Sequence, residues 1–134
     1  CTGGLIGDRI TSISGCSEIF TGGVIVYSND SKVEILGLDN ERLNKFGAVS
    51  KYTAKKMAEN VKSMFNSSFG LSVTGIAGPN GGTKDKPVGL VYIGLASDKN
   101  TIVEKYNFGK DRVLNKIKTS QAALQILRKG LLDE

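Results

Sequence analysis

The chain has 134 residues, a formal net charge of +5 and 40% hydrophobic residues, with only two prolines and two cysteines. This length is enough for one domain with a core of its own, and the composition is that of a globular protein rather than a disordered one. No apolar run approaches the roughly 18 residues of a transmembrane helix, and the N-terminus lacks the basic-then-apolar order of a signal peptide, so we expect a soluble cytoplasmic protein with no membrane partner. Basic runs and zinc-finger spacing are absent too, so we expect no nucleic-acid partner.

The absence of histidine narrows the chemistry that the side chains can perform. It excludes a Ser-His-Asp triad, and a zinc site would need improbable ligands, so we expect no metal and no cofactor. Two cysteines are too few for a secreted disulfide framework, and we expect Cys1 and Cys16 to be free thiols. The mild positive charge suits a small anionic ligand, because clefts lined by positive charge concentrate anions.

The first half of the chain is predicted to contain four helices and one strand. The first helix follows Gly3-Gly4 and ends near Ser14-Gly15, because apolar residues recur there at helical spacing. The β-rich stretch 19–27 is predicted to be the first strand, with a bend or a close backbone approach at its paired glycines. The other helices are a short one capped by residues 28–30 and stopped by Gly37, one at 39–46, and the most regular one at 50–66.

The second half is predicted to contain three strands and a long helix. The strands are predicted at 69–76, 88–96 and 101–108, and the short turn between the last two makes that pair antiparallel. The 88–96 strand is almost continuously apolar, which is typical of a strand covered on both faces. A final helix is predicted from about 110 to 131, and its expected buried stripe consists of Val113, Leu114, Ile117, Leu124, Leu127 and Leu131.

The order of these elements predicts the fold class. Helices separated by strands, with one strand pair joined as a hairpin, indicate an α/β protein built as a three-layer α/β/α sandwich with a mixed β-sheet. No repeat or linker divides the chain, so we expect a single domain over residues 1–134.

Two glycine-containing segments could hold an anion with their backbone N–H groups. The first, Thr74-Gly75-Ile76-Ala77-Gly78-Pro79-Asn80-Gly81-Gly82-Thr83, follows a predicted strand at the end where α/β folds place ligands, and glycine lets the backbone approach an anion closely. It matches neither a dinucleotide fingerprint nor a Walker A loop, and a flexible turn is an equally good interpretation. The second is Thr2-Gly3-Gly4 at a predicted helix start, for which simple capping is the alternative.

Lys32 is the candidate base in a chain without histidine. It follows Tyr27, Ser28 and Asn29 at the end of a predicted strand and lies early in a short helix. The helix dipole and desolvation would both lower the pKa of its ammonium toward the range in which a neutral amine can accept a proton. The alternative is a solvated surface lysine, which describes most lysines.

Two further polar residues could contact a ligand. Arg112 could form a planar fork to a phosphate or a carboxylate, or it could instead pair with Asp111. Ser17 could equally be a ligand hydroxyl or a cap at a helix end.

Seven separated blocks of the chain resemble the competence/damage-inducible CinA C-terminal domain family, in the family's order and over essentially the whole length. The blocks are Cys1-Thr2-Gly3-Gly4, Gly15-Cys16-Ser17, Gly22-Gly23-Val24 with Tyr27-Ser28-Asn29-Asp30-Ser31-Lys32, Gly47-Ala48-Val49-Ser50, Thr74-Gly75-Ile76-Ala77-Gly78-Pro79, Lys86-Pro87-Val88-Gly89 and Gly109-Lys110-Asp111-Arg112. Any one block could arise by chance, whereas all of them together make the resemblance specific.

The resemblance implies nicotinamide-nucleotide amidase activity, the hydrolysis of nicotinamide mononucleotide to nicotinate mononucleotide and ammonia in pyridine-nucleotide salvage. It implies a metal-independent amidohydrolase with a serine nucleophile and a lysine base that maps onto Lys32. It also implies roles in substrate contact or site organisation for Ser17, Tyr27, Thr74 and Arg112. With the glycine segments and the strand end added, the full set of candidate binding or organising residues is Thr2, Gly3, Ser17, Tyr27, Asn29, Thr74, Gly75, Gly78 and Arg112.

The chain departs from the family at its start. Family members carry Glu-Ser before the segment that matches Cys1-Thr2-Gly3-Gly4, and that serine, the expected nucleophile, is not in this sequence. A helix and a strand that precede it in the family are also missing, so we expect an amidase domain that lacks its N-terminal helix and strand. The sheet edge left exposed, together with the resemblance, favours a homo-oligomer.

Two other functions stay open from the sequence. An amidohydrolase could use Cys1 as an N-terminal nucleophile, with its own α-amine, whose pKa is typically about 7.7–8.0, as the base. Alternatively, an inactive nucleotide-binding or regulatory module could retain the anion sites without catalysis.

Overall fold

The structure, a computed structural model, describes residues 1–133. Its helices are α1 (Leu5–Thr11), α2 (Asn29–Glu34), α3 (Asn40–Phe46), α4 (Lys51–Met64) and α5 (Arg112–Leu132), with a short 3-10 helix at Cys16–Glu18. Its strands are β1 (Gly70–Gly75), β2 (Leu90–Ala96) and β3 (Thr101–Asn107). All the predicted helices and the last three predicted strands are therefore present, with their ends moved by a few residues.

Four helices begin at side-chain caps that are visible in the sequence. The side chains of Ser28, Asp39, Ser50 and Asp111 each accept a hydrogen bond from the backbone N–H three residues later. Such caps satisfy N–H groups that have no partner within the helix and contribute about 1 kcal/mol each. Helix α1 differs, because its N-cap is Gly4 and no side chain caps it, so the capping alternative for Thr2 is wrong.

The three strands form one antiparallel sheet in the order β1-β2-β3. In the register of this sheet Val73 lies opposite Ile93, which in turn lies opposite Glu104. The central strand β2 is buried along its whole length except at Tyr92, and the predicted β2–β3 hairpin is confirmed.

The strand predicted at 19–27 is not part of this sheet. Burial alternates along residues 21–27 as it does in a strand, with Val26 inside and both Ile25 and Tyr27 outside. However, no backbone-to-backbone hydrogen bond joins 21–27, which we call the unpaired segment, to any other described residue. The described sheet is therefore antiparallel rather than mixed, because strand pairing needs an adjacent backbone and none of the described strands supplies it.

Helix α4 covers one face of the sheet, and at two glycines the strand backbone lies unusually close to the helix backbone. A Cβ atom added to Gly70 would lie 2.2 Å from the carbonyl oxygen of Ala58, and one added to Gly94 would lie 2.6 Å from that of Ala54. Both distances are far below normal contact, so glycine is required at these two strand positions. The Ser72 hydroxyl uses the same proximity to donate a hydrogen bond of 2.6 Å to the Ala54 carbonyl.

Helix α5 covers the opposite face of the sheet and completes the three layers. Its Ala123 and Ile126 pack with Val91, Ile93 and Leu95 of β2 in one apolar cluster. The three-layer α/β/α arrangement is thus confirmed, with the sheet between α4 and α5.

The buried stripe predicted for α5 is wrong in most of its positions. Val113, Leu114, Ile117 and Leu131 are exposed, and the α5 residues that are buried are Asn115, Thr119, Ser120, Ala123 and Ile126. The reason is that α5 has two faces that could pack on the sheet, and the face with the smaller side chains is the one in contact with it.

Among residues 1–133, no helix is both long and apolar enough to cross a membrane.

Candidate active site

A cavity of about 160 Å³ opens where β1 ends, between α4 and the residues around the start of α2. Six of the ten predicted site residues line it, and these are Tyr27, Asn29, Lys32, Thr74, Gly75 and Arg112. They come from three distant parts of the sequence, and Cys1 lies in the same wall. The remainder of the lining is apolar and includes Met57 of α4, which is also part of a core cluster.

Lys32 is buried, with 6% of its surface exposed, so the solvated alternative is wrong. Its Nζ donates hydrogen bonds to the carbonyl oxygens of Val26 at 3.0 Å, Tyr27 at 3.0 Å and Ser28 at 3.3 Å. Burial lowers the pKa of the Lys32 ammonium from its ordinary value of 10.5, because desolvation disfavours the charged form. A neutral amine has only two N–H donors, so loss of a proton would release one of these contacts and expose a lone pair.

The loop after β1 is held from both sides by hydrogen bonds. The Ile76 N–H donates to the Leu90 carbonyl at 2.9 Å, and the Ile76 carbonyl accepts from the Gly89 N–H at 2.8 Å. From α5, the Asn115 amide donates to the Ala77 carbonyl at 2.9 Å and Arg112 donates to the Gly78 carbonyl at 2.7 Å. Residues 76–78 are therefore held in place, whereas residues 79–83 of the same segment are exposed.

Two backbone N–H groups of this loop, those of Ala77 and Gly78, donate to no other described residue. In a planar trans peptide the N–H points opposite to the preceding C=O. Because the Ala77 carbonyl points to Asn115 on α5, the Gly78 N–H points away from α5. Glycine is needed at this position, since φ is 88° and an added Cβ would lie 2.4 Å from Cγ1 of Val88. The loop thus offers fixed and unused donors beside the cavity.

Four predicted site residues do not line the cavity, although three of them lie near it. Thr2 is buried beside Cys1, Gly3 is exposed on the adjoining turn, and Gly78 belongs to the loop just described. Ser17 is exposed in the 3-10 helix and makes no side-chain hydrogen bond to the described residues. The fold therefore does not bring Ser17 to the other candidates.

The charges around the cavity are positive. Lys32, Lys116 and Arg112 lie near enough to Cys1 to place positive charge around it. The ion pairs within residues 1–133 join Lys55 and Lys56 to Glu59, and Lys62 to Asp98, all away from this site. This arrangement agrees with the anionic ligand expected from composition.

Sequence analysis missed Asn115 and Lys116. Asn115 is 2% exposed and also donates to the Gly109 carbonyl at 2.9 Å, so it ties two loops to α5. A signal for it existed, because it lies four residues from both Asp111 and Thr119 and thus continues a polar line along the helix. Lys116 likewise lies four residues after Arg112 on the same helix.

Within residues 1–133, no group of three cysteine, aspartate or glutamate side chains could hold a metal ion.

Comparison with known proteins gives a consistent result. A family model described as "CinA C-terminal domain" matches residues 1–131. A CinA-like protein of Trichormus variabilis is 51% identical over 135 residues, covering 98% of this chain, and one of Endomicrobium trichonymphae is 52% identical over 132 residues, with the same coverage. The chain spans about a third of these curated relatives, 32% and 31% of their lengths.

A solved structure is similar throughout the described fold. The crystal structure of the competence/damage inducible protein CihA from Agrobacterium tumefaciens has a TM-score of 0.94 and 38% sequence identity to this chain. The match covers 96% of this chain and 79% of that one.

Proposed function

The chain belongs to the CinA C-terminal domain family of competence/damage-inducible proteins, and from this membership we propose that it is the amidase domain of a longer protein. The reaction is the hydrolysis of nicotinamide mononucleotide to nicotinate mononucleotide and ammonia, without a metal or cofactor. The observation that carries the proposal is the buried Lys32 amine, which shares one cavity with the glycine loop after β1 and with Arg112.

Lys32 acts as the general base for a serine nucleophile that the chain upstream of Cys1 supplies. The serine oxygen attacks the amide carbon while its proton passes to the neutral Lys32 amine. The same lysine then gives that proton to the leaving nitrogen, so that ammonia departs and an acyl-serine ester remains. Water, deprotonated by Lys32, then attacks the ester, and the proton passes from Lys32 to the leaving serine oxygen, so that nicotinate mononucleotide is released and both residues are regenerated. The lowered pKa of Lys32 supports this role, because the base must be neutral before each attack.

The position of Cys1 supports a role for the upstream serine, because that serine would directly precede Cys1 in the chain and therefore lie close to the cavity. Cys1 lines the cavity, and its Sγ lies 3.2 Å from the position of a Cβ on Gly75. The outer edge of β1 and the unpaired segment both lack a strand partner among the described residues. An upstream strand paired with these edges would deliver the residue before Cys1 to the cavity beside Lys32.

The loop after β1 supplies the donors for the developing oxyanion. The Ala77 and Gly78 N–H groups are unused and their carbonyls are held by α5, so they need no reorganisation when charge appears on the amide oxygen. Removal of one such donor in other enzymes costs about 10²–10³ in kcat. Asn115 and Arg112 therefore have a positioning effect on this loop in addition to any contact with substrate.

A second candidate is an amidase that uses Cys1 itself. The observation that favours it is the position of Cys1 in the cavity wall, beside Gly75 and in the same cavity as Lys32. The thiol and the amine of Cys1 would then replace the serine and Lys32. The third candidate, a binding module without catalysis, is supported by the positive cavity alone.

Ammonia release from nicotinamide mononucleotide distinguishes the three candidates. We expect activity only in a form extended upstream to include the Glu-Ser pair of the family, and we expect EDTA to have no effect on it. Activity should be lost in the Lys32→Met variant and in the variant that replaces the upstream serine by alanine. Lys118→Met, a lysine on the outer side of α5, is the matched control. Activity of the 134-residue chain that disappears in Cys1→Ala would establish the cysteine scheme instead. Nucleotide binding without turnover in both forms would establish the module.

We place this reaction in the cytoplasm, with a small nucleotide as partner and with neither nucleic acid nor membrane, and we expect self-association. The exposed apolar residues Val113, Leu114 and Ile117 on α5 and the open sheet edges support an interface. Light scattering on the extended protein tests this point, and a monomer at micromolar concentration would contradict it.

A further inference from the structure

Two cations lie one helical turn apart at the start of α5, and the first of them, Arg112, lines the cavity. Arg112 is the first residue of the helix and Lys116 follows at i+4, so both side chains leave the same face. Lys116 Nζ lies 3.7 Å from the position that a Cβ would take on Gly3, which places it beside the turn that follows Cys1. The two side chains therefore lie beside the part of the cavity wall that Cys1 and Arg112 form.

Most of the donor capacity of this pair is unused. Arg112 donates one N–H to the Gly78 carbonyl, and its other N–H groups have no acceptor among residues 1–133. Lys116 has neither a hydrogen bond nor an ion pair within the same residues. The nearest acid in sequence, Asp111, uses its carboxylate to cap α5 through the Leu114 N–H at 2.9 Å. Among residues 1–133, no carboxylate therefore pairs with these two cations.

The size of the cavity indicates what part of a ligand reaches them. Its volume of about 160 Å³ is below the roughly 300–1,000 Å³ of pockets that enclose a whole small molecule. Only one end of a mononucleotide is therefore enclosed beside Lys32, and the other end must lie at the mouth.

We propose that Arg112 and Lys116 together bind the phosphate group of the nucleotide substrate, with Lys116 as the residue that makes the enzyme selective for a phosphorylated substrate. The inference rests on the proposed amidase function and adds a subsite to it. A phosphate offers three oxygens and about two negative charges, which suits a planar guanidinium fork next to a compact ammonium. The carboxylate formed in the reaction is a poorer candidate, because it arises at the reacting end beside Lys32.

The test compares nicotinamide mononucleotide with nicotinamide riboside, which has the same amide but no phosphate, in the upstream-extended protein. We expect Lys116→Met to raise KM for the mononucleotide about 10- to 100-fold, the usual range for a lost charge-assisted contact, with kcat nearly unchanged. The riboside kcat/KM should stay the same in this variant, Lys116→Arg should restore most of the mononucleotide KM, and Lys118→Met should match the parent with both substrates. Equal losses with both substrates, or no loss with either, would overturn the proposal.

A binding measurement separates this proposal from the amidase function. Inorganic phosphate, titrated against the protein at low ionic strength and followed by calorimetry, should bind the parent and Lys118→Met but bind Lys116→Met at least about tenfold more weakly. If phosphate binding depends on Lys116 and no amide is hydrolysed, the subsite stands and the amidase proposal fails. If amide hydrolysis occurs and phosphate binding is the same in all three proteins, the subsite fails alone.

Discussion

Strand β2 and the unpaired segment are alike in local sequence but differ in what their backbones do. Both are rich in β-branched and apolar residues, and burial alternates in the unpaired segment as in a strand. Both neighbours of β2 are hydrogen-bonded to it, whereas 21–27 makes no backbone-to-backbone bond among the described residues. The end of this segment serves the candidate site, because the carbonyls of Val26 and Tyr27 accept hydrogen bonds from the Lys32 amine, whereas β2 serves the core.

The largest expected effect comes from removing the amine that these carbonyls hold. Lys32→Met in the upstream-extended protein should lower kcat/KM for nicotinamide mononucleotide by about 10²–10⁴, the usual contribution of a general base. Methionine has a similar length and keeps the position apolar, so circular dichroism should show the parent fold. An ammonia assay measures the loss, and a folded variant with parental activity would contradict the role of Lys32.

The pH dependence should report the same amine. Only neutral Lys32 can accept a proton, so kcat/KM should fall about tenfold per pH unit below its pKa and level off above it. Because burial lowers this pKa, the rise should occur at lower pH than for an ordinary lysine. A stopped or discontinuous ammonia assay across the pH range measures the curve. A pH-independent rate would show that another group takes the proton.

A matched pair of glycine substitutions compares the two regions by stability. Gly94→Ala in β2 places a Cβ 2.6 Å from the Ala54 carbonyl and should lower the free energy of unfolding by about 1–3 kcal/mol, the usual cost of overpacking. Gly23→Ala in the unpaired segment meets only the Phe20 ring at 3.8 Å and should stay within about 0.5 kcal/mol of the parent. Urea unfolding of both variants measures the difference. Equal destabilisation would mean that 21–27 is packed as tightly as the sheet.

The smallest effect concerns the missing partner of the unpaired segment. If an upstream strand lies between 21–27 and β1, amide exchange in 21–27 should slow by about tenfold or more in the extended protein, because its N–H groups gain acceptors. The β2 amides serve as the internal reference, since β2 is already paired on both sides. Exchange that is as fast in the extended protein as in the 134-residue chain would exclude this arrangement.

Sequence reasoning was most successful where the cause is local. Ser28 predicted the start of α2, and the continuous apolar run at 88–96 predicted a strand covered on both faces, because caps and burial patterns involve neighbouring residues. It also identified Lys32, since a chain without histidine offers few other bases. It failed for Ser17, whose sequence block is similar to the family but whose side chain lies outside the cavity.

Thus the sequence by itself determined the helices and three of the strands, whereas the tertiary structure decided which surfaces meet. Val113 and Leu114 are as apolar as any core residue, yet α5 buries Asn115 and Ala123 instead, because close approach to the sheet depends on side-chain size along the whole contact. Likewise, nothing local brings Lys32, Gly75 and Arg112 together. Their meeting depends on how α4, the sheet and α5 stack, which is a property of long-range packing that no short stretch of sequence contains.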